Sequence, residues 1–335
     1  MTITAANMGF VGWVKFDFGT GNNLGFLRAT SCDLKVTQTI DPSEVIDGTI
    51  DRTVYKLGPK EIGGSVAFPA VLDQGTSGSA MARLWNVALQ REGGAGVPSN
   101  QGGFAADPGL FNVLVKYSNG TAFNYTDCIV DNYEWSVTQS DVVTIKVALI
   151  GKDRVAPTIP VTNAAIAGNS YYPTATNTHP TFSNTRIITW NDVNVNVGGV
   201  PSEFVRSFTC TVNNNVKRYY SLNGALSPSL VAPTKRDITG NVAIIGRNDL
   251  ISGSTGADGN YSRCSADQTI GFSVFQIPRT GSPVCAAAWG VEFPSMCIFE
   301  YEEIALTNEL FETKINYKVF PGESFTGSNS NTFMA

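Results

Sequence analysis

The chain has 335 residues, of which 42% are hydrophobic and 15% charged, and its formal net charge is −5. That length supports two domains of ordinary size, while the charged fraction is well below the roughly 25% usual in soluble domains. No Lys/Arg cluster supplies the basic patch that grips nucleic acid, no apolar run approaches the ~20 residues of a membrane span, and the N-terminus lacks the basic-then-apolar pattern of a secretory leader, so synthesis in the cytoplasm is expected.

Alternation of apolar and polar residues marks strands along most of the chain. In 10–18, Val14, Phe16 and Phe18 share one face against Trp13, Lys15 and Asp17. After the glycine break at Gly19–Asn23, a second strand carries Cys32, Leu34 and Val36 on one face and Ser31, Asp33, Lys35 and Thr37 on the other. Asp41 to Lys60 reads as a long connection, followed by a strand from Ile62 to Phe68. One helix is expected over 77–91, because Met81, Leu84, Trp85, Ala88 and Leu89 form an apolar stripe. The glycine-rich loop 93–109 lacks the spacing of a phosphate cradle. A hairpin over 111–125 turns at Asn119-Gly120, and strands near 129–139 and 142–150 follow.

Residues 151–184 change character: Pro157, Pro160, Pro173 and Pro180 sit among Ala, Thr and Asn, as in an extended linker. A strand from Ile187 to Val197 opens the second half. Then comes FVRSFTCTVNNNVKRYY from Phe204, with Phe208, Cys210 and Val212 opposite Thr209, Thr211 and Asn213. A looped excursion leads to ITGNVAI at Ile238, and strands near 270–277, 297–307 and 311–320 close the chain.

The two halves echo each other. FLRATSC at Phe26 resembles FVRSFTC at Phe204, an offset of 178; IGGSVAF at Ile62 resembles ITGNVAI at Ile238, an offset of 176. CIVD at Cys128 resembles CIFE at Cys297, an offset of 169. The expected organisation is a first β domain over 1–153, a linker over 154–185, a second over 186–323 and a mobile tail over 324–335.

The runs IITWNDVNVNVGG, FVRSFTCTVNNNVKRYY and SPSLVAPTKRDITGNVAI resemble the phage tail tube protein family. The resemblance implies an all-β fold with one short helix, here as two tandem β-sandwich domains whose sheets join neighbouring subunits into a barrel-like ring. It further implies a virion protein of the tail. Its partners would be copies of itself, with sheath, tape-measure and baseplate proteins as further candidates, and DNA only in transit. Two domains per chain predict three chains per ring with pseudo-six-fold symmetry. Ser31, Asp33, Lys35, Thr209, Thr211 and Asn213 are then candidates for a wet lumen. Asp41–Lys60 and Tyr219–Lys235 are candidates for ring-to-ring contacts.

No catalytic constellation competes with that reading, and neither a cofactor nor a metal site is expected. His179, the only histidine, lies in the linker. Cys264, Cys285 and Cys297 are too irregular in spacing for a zinc site. The six cysteines (Cys32, Cys128, Cys210, Cys264, Cys285 and Cys297) are either buried thiols or disulfides, with Cys32–Cys128, Cys210–Cys297 and a Cys264–Cys285 bridge between neighbours as pairings to test. Glu300, Glu302 and Glu303 fit an acidic face better than a glycosidase pair. A capsid decoration or baseplate protein, and less closely a carbohydrate-binding module, are the alternative readings.

Overall fold

The computed structural model describes residues 11–17, 24–27, 29–42, 55–72, 84, 87–88, 110–117, 122–155, 186–197, 204–245, 264–265, 270–276, 286–293, 296–304 and 312–319. The fold is all-β. The first half contains β1 (Val11–Asp17), β2 (Leu24–Leu27), β3 (Ser31–Cys32), β4 (Lys35–Pro42), β5 (Tyr55–Pro69), β6 (Val71–Leu72), β7 (Phe111–Tyr117), β8 (Ala122–Thr138), β9 (Thr144–Gly151) and β10 (Asp153–Val155). The second contains β11 (Arg186–Ile187), β12 (Val193–Val197), β13 (Val205–Asn213), β14 (Lys217–Tyr219), β15 (Leu230–Ala232), β16 (Asp237–Ile245), β17 (Cys264–Ser265), β18 (Ile270–Gln276), β19 (Ala286–Phe293), β20 (Met296–Ile304) and β21 (Glu312–Val319).

Strand β8 holds two layers together. Its first part pairs with β7, with Val115 opposite Phe123. Its second part pairs with β9, with Tyr133 opposite Val147. The change of layer falls at Asp127, whose φ of 49° is left-handed and whose amide donates to Asn112 Oδ1. A strand that switches sheets needs such a bend. The β1–β7 layer then packs Phe16 against Phe68 and Phe111, with ring centroids 6.4 and 6.1 Å apart.

Several expected strands are divided differently. Phe26 and Leu27 belong to β2, which pairs with β1, whereas Cys32 pairs with Val66 of β5. The stretch Phe26–Thr37 is therefore not one strand. Nor is Asp41–Lys60 wholly a connection: β4 and β5 continue as a hairpin as far as Pro42 opposite Tyr55. Pro59 is accommodated by the register shift between Gln38 and Ile40, since a bulge tolerates a residue without an N–H. Ile187–Val197 is broken by a 3-10 turn at Trp190–Asp192, where Thr189 and Asp192 form a capping box. Strand β19 has no counterpart in the sequence reading. Of the expected helix, Leu84, Val87 and Ala88 are described, helical and buried. The linker, His179 and the tail lie outside the described residues.

The main sheet runs β4-β5-β9-β8-β13-β16-β21-β20, and β8 meets β13 edge to edge. Its two groups of four strands share one pairing pattern. Val66 faces Cys32 and Val147; Val242, 176 residues later, faces Phe208 and Ile315. Val147 faces Tyr133, and Ile315 faces Tyr301, each 168 residues later. Even the bulge recurs, between Val130 and Asn132 and between Ile298 and Glu300. The offsets read from sequence are thus displaced at two of three places. Cys32 corresponds to Phe208, with Leu34 matching Cys210, and Cys128 corresponds to Met296. A shift of two keeps the side chain on the same face, which hides it in an alternating pattern.

Gly64 and Gly240 occupy equivalent places for different local reasons. A Cβ on Gly240 would strike Tyr317, whose hydroxyl crosses above it to donate to the Thr209 carbonyl at 2.7 Å. Gly64 has φ of 151°, and its missing side chain admits the Asp33–Leu34 backbone. Gly240→Ala is expected to lower unfolding free energy by about 1–3 kcal/mol through overpacking, read by urea denaturation of the unassembled chain. Wild-type stability in that variant would contradict the packing described.

Candidate assembly surfaces

The main sheet has one dry face and one wet face. On the dry side, Val66, Val147, Tyr133, Val212, Ile238 and Val319 follow one another across neighbouring strands, and all are buried. One residue along, Ser31, Ala67, Lys146, Glu134, Thr211, Thr239 and Lys318 form a parallel row, and each is at least partly exposed. The two polar triplets singled out in the sequence therefore share one face of one sheet. Asp33, Ser31 and Lys35 are exposed, while Thr209, Thr211 and Asn213 are partly so.

That face is mixed in sign rather than acidic. Lys35, Lys146, Lys314 and Lys318 stand among Asp33, Glu134 and Asp237. Lys318 Nζ lies 3.0 Å from Asp237, and its hydrogen bond holds that carboxyl below its ordinary range. Glu302 stands opposite Lys314 in the register, and Glu300 opposite Asn316. Such pairing removes the acidic dyad as a feature of its own.

The edges are as informative as the faces. Among the described residues, the outer side of β4 pairs with no strand, and β20 is paired on its outer side only at Met296–Cys297, by β17. Unpaired edges are hazardous in a soluble chain and are normally covered.

The three asparagines after β13 form a junction. Asn214 is 1% exposed, and its Nδ2 donates to the carbonyls of Ala88 and Val130, both at 2.9 Å. It thereby ties the helical residues to β8. Asn215 takes the left-handed φ of 47°, and its amide is held by Asn213 Oδ1 at 2.9 Å. Asp131 accepts from Asn214 N at 2.7 Å and, through Oδ1, from Val216 N at 2.8 Å. The sequence marks this NNN run as a turn. It gives no sign that the middle residue is a buried cross-link.

The junction launches an arm. β14 and β15 pair, with Tyr219 opposite Leu230, and enclose a tip ordered by Asn223 Oδ1 accepting from Ala225 N at 3.0 Å. Lys60 N donates to Leu226 O at 2.8 Å, Tyr220 hydroxyl to Lys60 O at 3.0 Å, and Arg218 Nη2 to Ile62 O at 2.7 Å. These bonds lay the arm against the β4–β5 hairpin. The two loops nominated for ring-to-ring contact are thus brought together at one end of the sheet.

Cys32, Cys128 and Cys210 are free thiols, so neither Cys32–Cys128 nor Cys210–Cys297 is bridged here. Burial pushes Cys128 and Cys210 up to about 12. The backbone register sets Cys264 opposite Cys297; Cys285 lies outside the described residues. Among the described residues, no group of three or more His, Cys, Asp or Glu is placed to hold a metal ion.

An open polar-faced sheet, bare edges and an ordered apolar arm define an all-β structural protein. The chain belongs to the phage tail tube protein family, whose model, described as a phage tail tube protein, matches residues 6–247, more than two thirds of its length. It is accordingly a structural protein of the phage tail. No curated protein matches the chain.

Two outcomes are expected from this geometry. Asn214→Ala strands two buried carbonyls and should cost about 1–3 kcal/mol, seen as a lower denaturation midpoint; an unchanged midpoint would contradict the cross-link. Native alkylation at pH 8, followed by peptide mapping, should modify Cys32 before Cys128 or Cys210. Equal labelling of the three would contradict their burial.

Proposed function

We propose that this chain is the tube subunit itself, three copies of which close into a ring of six similar units, and that stacked rings form the conduit for genome ejection. The observation that carries this reading is the β8–β13 seam. One chain already contains an edge-to-edge joint between two strand groups of matching order and register, which supports reading them as tandem units. Adding a second chain at the bare edges repeats that joint.

The repeated joint has a definite register. Within the chain, Thr211 faces Glu134 and Val212 faces Tyr133. Carrying these pairs over by the strand offsets sets Lys35 opposite Glu302 of the next chain, and Val36 opposite Tyr301. The first is a pair of opposite charges and the second repeats an aliphatic–aromatic contact, both favourable as direct cross-strand neighbours. Closing the sheet into a ring removes its edges. The mixed, well-hydrated face then lines the lumen, where balanced charge offers DNA no fixed grip. Sheath, tape-measure and baseplate proteins are the partners such a tube requires.

The test is a charge exchange read by negative-stain microscopy and native mass. Lys35→Glu sets two acids face to face and should abolish rings, whereas Lys35→Glu with Glu302→Lys should restore them with three chains each. Rings of six chains would overturn the tandem reading, and rings unaffected by Lys35→Glu would overturn the register.

A further inference from the structure

The two ends of the main sheet differ in shape. At the end where β13 finishes, the arm and the β4–β5 hairpin expose apolar side chains together. Ile40 and Leu57 are cross-strand partners, 62% and 47% exposed, and Tyr219, Tyr220 and Leu230 are exposed beside them. Leu222, at the tip, is fully exposed. The arm is ordered by its own ladder, its tip turn and three bonds to β5, so this apolar surface is held outward rather than left to collapse. Contiguous exposed apolar surface on an ordered element marks an interaction site.

At the other end, where β13 begins, lies a cavity of about 350 Å³. Val137, Trp190, Val193, Val195, Phe204 and Val205 line it, with Trp190 44% exposed. β13 spans nine residues between the two features, roughly 30 Å of strand. A knob and a hollow at opposite ends of the same strands cannot meet within one chain. They can meet between two chains set head to tail.

Resting on the tube reading above, we propose that the arm tip, with Leu222 at its apex, seats in the Trp190–Phe204 cavity of a second copy in the next ring. The occupant is argued from the molecule itself: the hollow is apolar, the knob is apolar, and their placement along one axis is that of a stacking contact. A contact between two different patches repeats without closing, which produces an open filament rather than a dimer. Ring closure through the sheet edges and stacking through the arm are then separate interfaces.

The test places one cysteine on each side, at exposed Leu222 and at exposed Asn191 on the cavity wall. Tubes of the Leu222→Cys, Asn191→Cys double variant, treated with a short bis-maleimide, should yield a covalent ladder that neither single variant gives. Leu222→Asp should leave rings intact and shorten tubes at least tenfold. Tubes without the ladder, or Leu222→Asp tubes of full length, would overturn the arm-in-cavity contact and leave the tube reading standing. Wild-type protein that forms neither rings nor tubes under any assembly condition would overturn both.

Discussion

The hydrogen-bonded seam between β8 and β13 is the constraint on which the rest of the architecture depends. Seven consecutive residue pairs, from Ser207–Thr138 to Asn213–Asn132, join strand groups far apart in sequence into one sheet. Because side chains alternate along every strand, that register fixes two faces at once. Tyr133 and Val212 meet on the dry side, and Glu134 and Thr211 on the wet side. A slip of one residue would bury Glu134 and Thr211 and expose Tyr133. The same seam places the Asn213–Asn215 junction over Asp131, and so decides where the arm leaves the sheet.

The division of labour among the residues follows from this arrangement. Burial of the dry rows supplies the stability of the sheet, at roughly 1.5–3 kcal/mol for each large side chain. The wet rows contribute little to folding, since exposed ion pairs are worth about 0–1 kcal/mol. They are therefore available for a surface role. Asn214 belongs to neither group: its amide joins the helical residues to β8 and lets a single loop be aimed from a rigid base.

Strand alternation made much of the fold legible in the sequence. Val14, Phe16, Cys210 and Val212 were assigned to the inner face by period alone, and they are buried. The polar triplets were likewise assigned by parity, which survives a shift of two residues even though the offset was misplaced. What period cannot carry is connectivity. The Ile62 motif gave its offset correctly, but Cys32–Cys210 and Cys128–Cys297 attracted the alignment by identity, while pairing follows Cys32–Phe208 and Cys128–Met296. The bend at Asp127 was invisible, because an aspartate in left-handed conformation has no sequence signature when strands flank it on both sides. Strand β19, rich in alanine and glycine, lacks the β-branched residues that mark strands. Trp190 resembled a core residue and lies at the rim of a cavity.

The account's central claim is that one chain supplies two equivalent segments of a ring. Native mass spectrometry of single rings, released from tubes by mild dissociation, tests it most directly. The account predicts a species with the mass of three 35.8 kDa chains. A ring with the mass of six chains would contradict it, and would require the matching registers of the two strand groups to have another origin.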